Sequence, residues 1–130
     1  MSALGEHYRW QVYNGTGVSV TCTVKDEPFK YASDGALTFT AEATQINAVS
    51  VSTLAYSNSS TINNGAAKNL GAHVTFTAAP GASATGTVSV FLQTSTDGGT
   101  TWPSNGRGRF VGAHTFSASS TSQTDVLVVR

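Results

Sequence analysis

The chain has 130 residues, of which 39% are hydrophobic and 11% are charged, and seven basic side chains balance seven acidic ones. One hydrophobic core typically serves about 100–150 residues, so a single domain spanning 1–130 is expected. The neutral charge balance excludes an electrostatic nucleic-acid partner, which needs a clustered basic face, and a polybasic membrane anchor.

Three further absences narrow the class of protein. No apolar run approaches the roughly 20 residues that span a bilayer, so no membrane partner is expected. The first seven residues lack the pattern of a secretory signal. The lone cysteine, Cys22, excludes an internal disulfide framework and a multi-cysteine zinc site.

The composition favours β-structure. The chain contains 16 Ser, 19 Thr and 13 Val, whereas the residues that favour helices are scarce. Thr and Val are stiff at the first side-chain torsion, which suits a pleated surface. Thirteen glycines mark turns between the expected strands.

The first part of the chain predicts two strands. Residues 8–14 alternate, with Tyr8, Trp10 and Val12 on one parity, and residues 14–17 form a turn cluster. Residues 18–25 alternate with period 2, which is typical of a strand with one buried face. Cys22 shares the parity of the neighbouring valines and is predicted to lie in the core.

The middle of the chain is less regular. Short apolar stretches at 29–31 and 37–41 flank a turn at 33–35. Residues 46–56 alternate, but both parities carry apolar residues, so the inward parity stays open. Residues 57–71 are predicted to form a long surface loop, with a short strand around 61–62 as the alternative.

The last part predicts further strands around 73–78, 87–93 and 110–116. The closing segment, Val126, Leu127, Val128 and Val129, is apolar on both faces, which predicts burial by a second layer or by a neighbouring chain. We predict contacts with other subunits at that segment and at the first strand, through Tyr8, Trp10, Val12 and Tyr13.

About eight short strands at spacings of about 8–15 residues predict an all-β fold, an antiparallel β-sandwich of jelly-roll or immunoglobulin-like type. Residues 1–7 are expected to form an N-terminal arm.

One motif is specific. Residues 95–102 match the Asp-box pattern through Ser95, Asp97, Gly99, Thr101 and Trp102. The Asp97 carboxylate is placed to accept backbone hydrogen bonds in a turn whose glycines permit positive φ, and the Trp102 ring is placed to fold over the hairpin. The motif resembles the hairpins of sialidases, where such boxes lie away from the active site, so a structural role is expected.

The sequence gives little support for a catalytic, metal or cofactor site. The three histidines have no ligand spacing, and the carboxylates are scattered, so we expect no catalytic residues, no metal and no cofactor. Residues 107–109 form a short basic turn. Trp10, Tyr13 and Tyr31 offer a sugar-stacking platform as an alternative to a role in the core or in an interface.

Over most of its length the chain resembles the small β-rich structural proteins of tailed bacteriophages. The resemblance depends on residues 8–17, on 33–39, and on 86–93 running into 95–103. It implies a non-enzymatic virion protein assembled in the host cytoplasm, a capsid decoration or cement protein that contacts major capsid or tail proteins and copies of itself. The alternative is a tail or fibre component that binds a surface glycan of the host.

Overall fold

Residues 2–130, which this computed structural model describes, form ten β-strands and no helix. The strands are β1 (His7–Asn14), β2 (Val20–Tyr31), β3 (Leu37–Phe39), β4 (Ala43–Val51), β5 (Tyr56–Asn58), β6 (Ile62–Asn63), β7 (Gly71–Pro80), β8 (Ala84–Ser95), β9 (Arg109–Ser119) and β10 (Gln123–Val129). The all-β prediction is confirmed, with ten strands in place of about eight.

The strands form two five-stranded antiparallel sheets. In the first sheet, β5 and β6 share one edge of β1, and β8 and β9 follow on the other side. In the second sheet, β3 and β4 share one edge of β2, and β7 and β10 follow. The two sheets pack against each other, which confirms the predicted β-sandwich.

Period-2 alternation places the core between the sheets. In β2 and β7 every second side chain is buried, because successive side chains of a strand point to opposite faces. The largest buried apolar side chains are Trp10, Tyr8, Phe76 and Phe116. Cys22 is buried among them, as its parity predicts.

The predicted interface role of β1 is wrong for three residues. Tyr8, Trp10 and Val12 are at most 1% exposed and belong to the core cluster, so no partner subunit can reach them. Their parity was sufficient to group them, but it did not distinguish the inner face of a sandwich from an intersubunit face.

The structure of β4 explains why the sequence pattern left open which of its side chains point inward. Ile46 and Val51 are both buried although they lie five positions apart, which a regular strand does not allow. The register against β2 shifts between Cys22 and Val24, and Ala48 has a positive φ of 48°. This bulge switches the strand from one parity to the other.

The segment 57–71 is not the long surface loop that the sequence predicted. It contains the end of β5, all of β6 and the buried side chains of Ser59, Asn64 and Asn69. The Asn64 side chain accepts from the Asn69 amide at 2.8 Å and donates to the carbonyls of Gly5 and Asn69 at 2.9 Å each. Hydrogen bonds of the Asn64 side chain therefore hold this segment in place of a longer strand. For this reason the segment lacks the alternation of apolar residues that marks a strand.

The expected N-terminal arm also folds onto the sandwich. Leu4 is fully buried, and the Ala3 amide donates to the Leu70 carbonyl at 2.9 Å. Position 1 of the predicted arm lies outside the described residues.

Candidate interface

The Asp-box residues converge in one turn after β8. The Asp97 Oδ1 atom accepts from the Ser95 hydroxyl at 2.7 Å and from the Thr101 amide at 2.8 Å. Gly98 and Gly99 have φ values of 75° and 90°, which glycine adopts without strain. Hydrogen bonds from Thr101 and then from Ser95 hold the pKa of Asp97 well below its usual range.

The Trp102 ring fastens this hairpin to the outer face of the first sheet. Its Nε1 donates to the Gly99 carbonyl at 3.0 Å, which folds the ring over the turn. The guanidinium carbon of Arg9 lies 4.5 Å from the ring centroid, and Arg9 Nε donates to Gln93 Oε1 at 2.8 Å. A cation–π contact thus links the hairpin to β1.

The rest of the β8–β9 connection covers two glutamines that the sequence analysis did not single out. Gln11 and Gln93 point outward from the first sheet yet are fully buried. Gln11 Oε1 accepts from the Gly106 amide at 2.9 Å, and Gln93 Nε2 donates to the Pro103 carbonyl at 3.2 Å. The signal that could have found them is their position on the outward parity of neighbouring strands.

This arrangement gives the Asp-box a structural use. The Asp97 oxygen is engaged by donors of its own turn, and residues 103–106 close the polar layer above the sheet. The hairpin fixes the start of the long connection between β8 and β9.

The outer face of the second sheet carries five large apolar side chains that are exposed. We call the following set the second-sheet patch: Tyr31 (62% exposed), Val126 (60%), Val128 (49%), Leu37 (46%) and Phe39 (40%), with Phe29 and His73 between them. The register explains the grouping, since Tyr31 lies opposite Leu37, Phe29 opposite Phe39, and Val128 opposite His73.

The aromatic members of this patch contact one another. Phe29 and Phe39 have ring centroids 5.8 Å apart, and His73 lies 5.7 Å from Phe29 and 5.1 Å from Phe39. These distances lie in the usual range for aromatic pairs. The patch therefore has a fixed aromatic centre with more exposed apolar side chains around it.

A groove of about 470 Å³ runs through one end of the patch. Tyr31 and Leu37 line one side, Val128 and Arg130 line the other, and Phe29 lies between them. Gly71 makes room for the Phe29 ring, because a Cβ at that position would lie 2.6 Å from the ring. The lining of the groove is mostly apolar, and its polar residues are Ser2, His73 and Arg130.

The structure divides the predicted terminal contact segment in two. Val126 and Val128 are exposed, whereas Val129 is buried and Leu127 packs inward against Gly112. Tyr13 lies on the other sheet, where its ring is 4.5 Å from that of Tyr56. The segment therefore supplies two outward valines to the second-sheet patch and anchors the strand with the other two residues.

Of the aromatic residues of the patch, only Tyr31 was a candidate from the sequence, for a sugar platform or for a role in the core or in an interface. Phe29 and Tyr31 have the parity of Thr21 and Thr23, which point away from the core, so their outward direction was readable from the alternation of β2. Proline at position 28 concealed this signal, because it suggested that the strand ended there.

Asp26 is a charged residue in the interior of the protein and is 1% exposed. Its carboxylate accepts from Gln45 Nε2 at 2.8 Å, from Trp10 Nε1 at 2.9 Å and from Tyr8 Oη at 3.2 Å. Burial and the nearby carboxylate raise the pKa of Tyr8 far above its usual range. The network ties β1 to β2 and β4, and its closure to solvent suits a structural role.

The histidines do not gather. His114 Nε2 lies 2.9 Å from the Phe76 carbonyl in the core, His73 is in the patch and His7 begins β1. Among residues 2–130, no group of three or more His, Cys, Asp or Glu side chains is placed to hold a metal ion. In the same part of the chain no helix has the length and apolar character needed to cross a membrane.

No protein-family model, curated protein or solved structure matches the chain. Among residues 2–130, the second-sheet patch is the most distinctive surface.

Proposed function

We propose that the chain is a non-enzymatic structural protein of a tailed-bacteriophage particle, a decoration or cement protein that acts through contacts with neighbouring subunits. The observation that carries this proposal is the second-sheet patch, in which five large apolar side chains between 40% and 62% exposed lie on one sheet face. Contiguous apolar surface on a soluble protein commonly marks an interaction site.

The charge pattern supports the same function. With 11% charged residues and no net charge, identical copies repel one another weakly and can be packed densely on a particle. The sequence resemblance to small phage structural proteins supplies the kind of particle.

The glycan-binding alternative gains no support from the aromatic side chains that suggested it. Trp10 is fully buried, Tyr13 lies on the first sheet and Tyr31 lies on the second. A sugar platform needs rings that share one exposed face. These three rings do not form such a platform.

The proposal is tested by locating the protein in phage particles that carry its coding sequence. Antibodies raised against the recombinant chain should detect it in the gradient fraction of intact particles, at a fixed copy number relative to the major capsid protein. Detection in the fractions of free protein alone would contradict a virion role, and detection in isolated tails alone would contradict the decoration assignment.

A rebinding assay then tests the surface. Recombinant chain is added to particles that lack it, and the bound fraction is measured by sedimentation. The Val128→Asp variant should rebind at least about tenfold more weakly, because a charge is placed in an apolar contact. Phe110→Asp is the matched control, since Phe110 is 59% exposed on the other sheet and should leave rebinding unchanged.

A further inference from the structure

We propose that Asn105 is a site of spontaneous deamidation, the covalent change in which the side-chain amide of an asparagine becomes a carboxylate. Asparagine is among the chemically labile residues. Asn105 and Gly106 occupy the turn closed by the hydrogen bond from the Arg107 amide to the Ser104 carbonyl at 2.9 Å. The turn lies over the first sheet, so the site is separate from the surface that is proposed to contact neighbouring subunits.

The reaction needs groups of the chain itself and water. The Gly106 amide nitrogen attacks the side-chain carbonyl carbon of Asn105, its proton passes to the side-chain nitrogen, and that nitrogen leaves as ammonia. The product is a succinimide ring, which water opens at either carbonyl to give aspartate or isoaspartate. Ring closure joins two groups of one chain, and glycine favours it because no Cβ hinders the approach of its nitrogen.

Three asparagines of the chain precede a glycine, at positions 14, 64 and 105. In each pair the glycine amide donates a hydrogen bond to an oxygen that lies 2.8 or 2.9 Å away. The attacking nitrogen therefore does not distinguish the three sites. The environment of the asparagine side chain does.

The side chains of Asn14 and Asn64 are held in the interior. Asn14 is fully buried, and its nitrogen donates to two backbone carbonyls at 2.7 and 2.9 Å. Asn64 is 3% exposed, and its nitrogen donates to two backbone carbonyls at 2.9 Å each. Before either side chain can react, these bonds must break and water must enter, which requires a local opening of the fold.

The side chain of Asn105 is exposed. Its Oδ1 accepts from Gln11 Nε2 at 3.0 Å, and within the part of the chain that the structure describes its nitrogen donates to no protein oxygen. Ammonia can therefore leave directly into solvent. The hydrogen bond to Oδ1 also polarises the carbonyl group whose carbon is attacked. Asn105 can react without the loss of any buried hydrogen bond from its side-chain nitrogen.

Asn58 is an internal control for the part played by glycine. It is exposed like Asn105, and its Oδ1 accepts from the same Gln11 Nε2, at 2.8 Å. The residue that follows is Ser59, whose side chain hinders attack and whose amide donates to the Trp10 carbonyl at 2.8 Å. Asn58 thus shares the exposure and the hydrogen-bond partner of Asn105 but lacks the glycine.

The modification changes the cover of the first sheet. Aspartate adds a negative charge to the turn, whereas isoaspartate lengthens the backbone between position 105 and Gly106 by one carbon. In the isoaspartate form the Gly106 amide is displaced from Gln11 Oε1, which it meets at 2.9 Å in the unmodified chain. The polar layer around Gln11 and Gln93 therefore becomes open to water in that form.

The test follows the purified chain during incubation at mildly alkaline pH. Samples are digested at acidic pH, where the reaction is slow, and mass spectrometry measures the replacement of the amide by a carboxylate at each asparagine. We expect position 105 to be converted at least about tenfold faster than positions 14, 58 and 64. In guanidinium chloride, positions 14, 64 and 105 should react at similar rates, because the local sequence is then the same and the fold is absent.

Three results would overturn the proposal. They are equal conversion of the three Asn-Gly sites in the folded protein, no conversion at position 105 while the unfolded chain reacts, and a preference for position 105 that persists in guanidinium chloride. The last result would assign the selectivity to flanking residues and not to the structure.

A pair of variants checks the site by ion exchange, which separates the more acidic product. Asn105→Gln should abolish the rapid appearance of this product, because glutamine must close a larger and slower-forming ring. Asn58→Gln is the matched control and should leave the rate unchanged. Unchanged formation of the acidic product in Asn105→Gln would also overturn the proposal, and circular dichroism checks that both variants are folded.

Discussion

At the scale of single residues, buried polar atoms form hydrogen bonds that the alternation of apolar residues does not reveal. Tyr8 and Trp10 have the parity of core residues, yet their polar tips both meet the Asp26 carboxylate. Alternation could predict that these rings are buried, because burial follows parity. It could not predict the hydrogen bonds, because these depend on how the two sheets are aligned.

The Tyr8→Phe substitution removes one donor from buried Asp26. We expect the free energy of unfolding to fall by about 1–3 kcal/mol, because a hydrogen bond to a charged acceptor is lost in the interior. Denaturant unfolding monitored by circular dichroism measures the change. Tyr31→Phe removes an exposed hydroxyl and should change stability by less than about 0.5 kcal/mol; equal effects at the two sites would contradict the role of the network.

The buried thiol gives the protein a pH dependence in the alkaline range. Burial raises the pKa of Cys22 from its ordinary value of 9.0 to about 12. Above pH 9 the unfolded chain loses a proton that the folded chain keeps, so the stability falls as the pH rises toward 12. The loss from this group is at most about 1.4 kcal/mol per pH unit.

Comparison with Cys22→Ala isolates this contribution. Between pH 9 and pH 10 the unfolding free energy of the native sequence should decline more steeply than that of the variant, as measured by denaturant titration at each pH. Parallel declines would show that the thiol is not protected. The buried Tyr8 hydroxyl adds a loss in the same direction above pH 10 in both proteins.

At the scale of elements, local chemistry decides where the strand pattern breaks. The bulge at Ala48 and the hydrogen bonds of the Asn64 side chain each fix the conformation of a segment. In both segments the apolar and polar residues do not alternate regularly. By contrast, the turn after β8 was predictable from the sequence, because the Asp-box fixes residue types at fixed positions. Its attachment to Arg9 and Gln11 was not predictable, since it joins residues more than 90 positions apart.

Removing the indole tests this attachment. Trp102→Ala should reduce the unfolding free energy by about 1–3 kcal/mol and lower Tm, because the half-buried ring loses both its packing and its contact with Arg9. Thermal unfolding measures the shift. Thr96→Ala, at an exposed position in the same turn, is the control, and an unchanged Tm for Trp102→Ala would contradict the fastening role.

A glycine beside the groove provides a steric test of the second sheet. A Cβ at Gly71 would lie 2.6 Å from the Phe29 ring and would meet the Val129 backbone, so Gly71→Ala should destabilise the protein by about 2–3 kcal/mol. Gly17→Ala is the matched control, because no heavy atom lies within 4 Å of that Cβ position. Denaturant unfolding should separate the two variants clearly, and similar stabilities would contradict the described packing.

At the scale of the whole molecule, alternation and composition were sufficient for the two-sheet architecture but not for its surfaces. The alternation of β2 and β7 identifies one buried face, which fixes the class of fold. Which outer face carries apolar residues depends on the pairing of β3 with β2 and of β10 with β7. That pairing joins distant segments, so Tyr31, Leu37 and Val128 were not recognisable as neighbours.

The protein is proposed to function through the outer face of its second sheet. Hydrogen–deuterium exchange of the free and the particle-bound protein tests it most directly, because β3 and β10 are edge strands of that sheet. Binding should slow exchange in residues 31–39 and 124–129 and leave residues 96–108 unchanged. Protection confined to 96–108, or no protection in either edge strand, would contradict it.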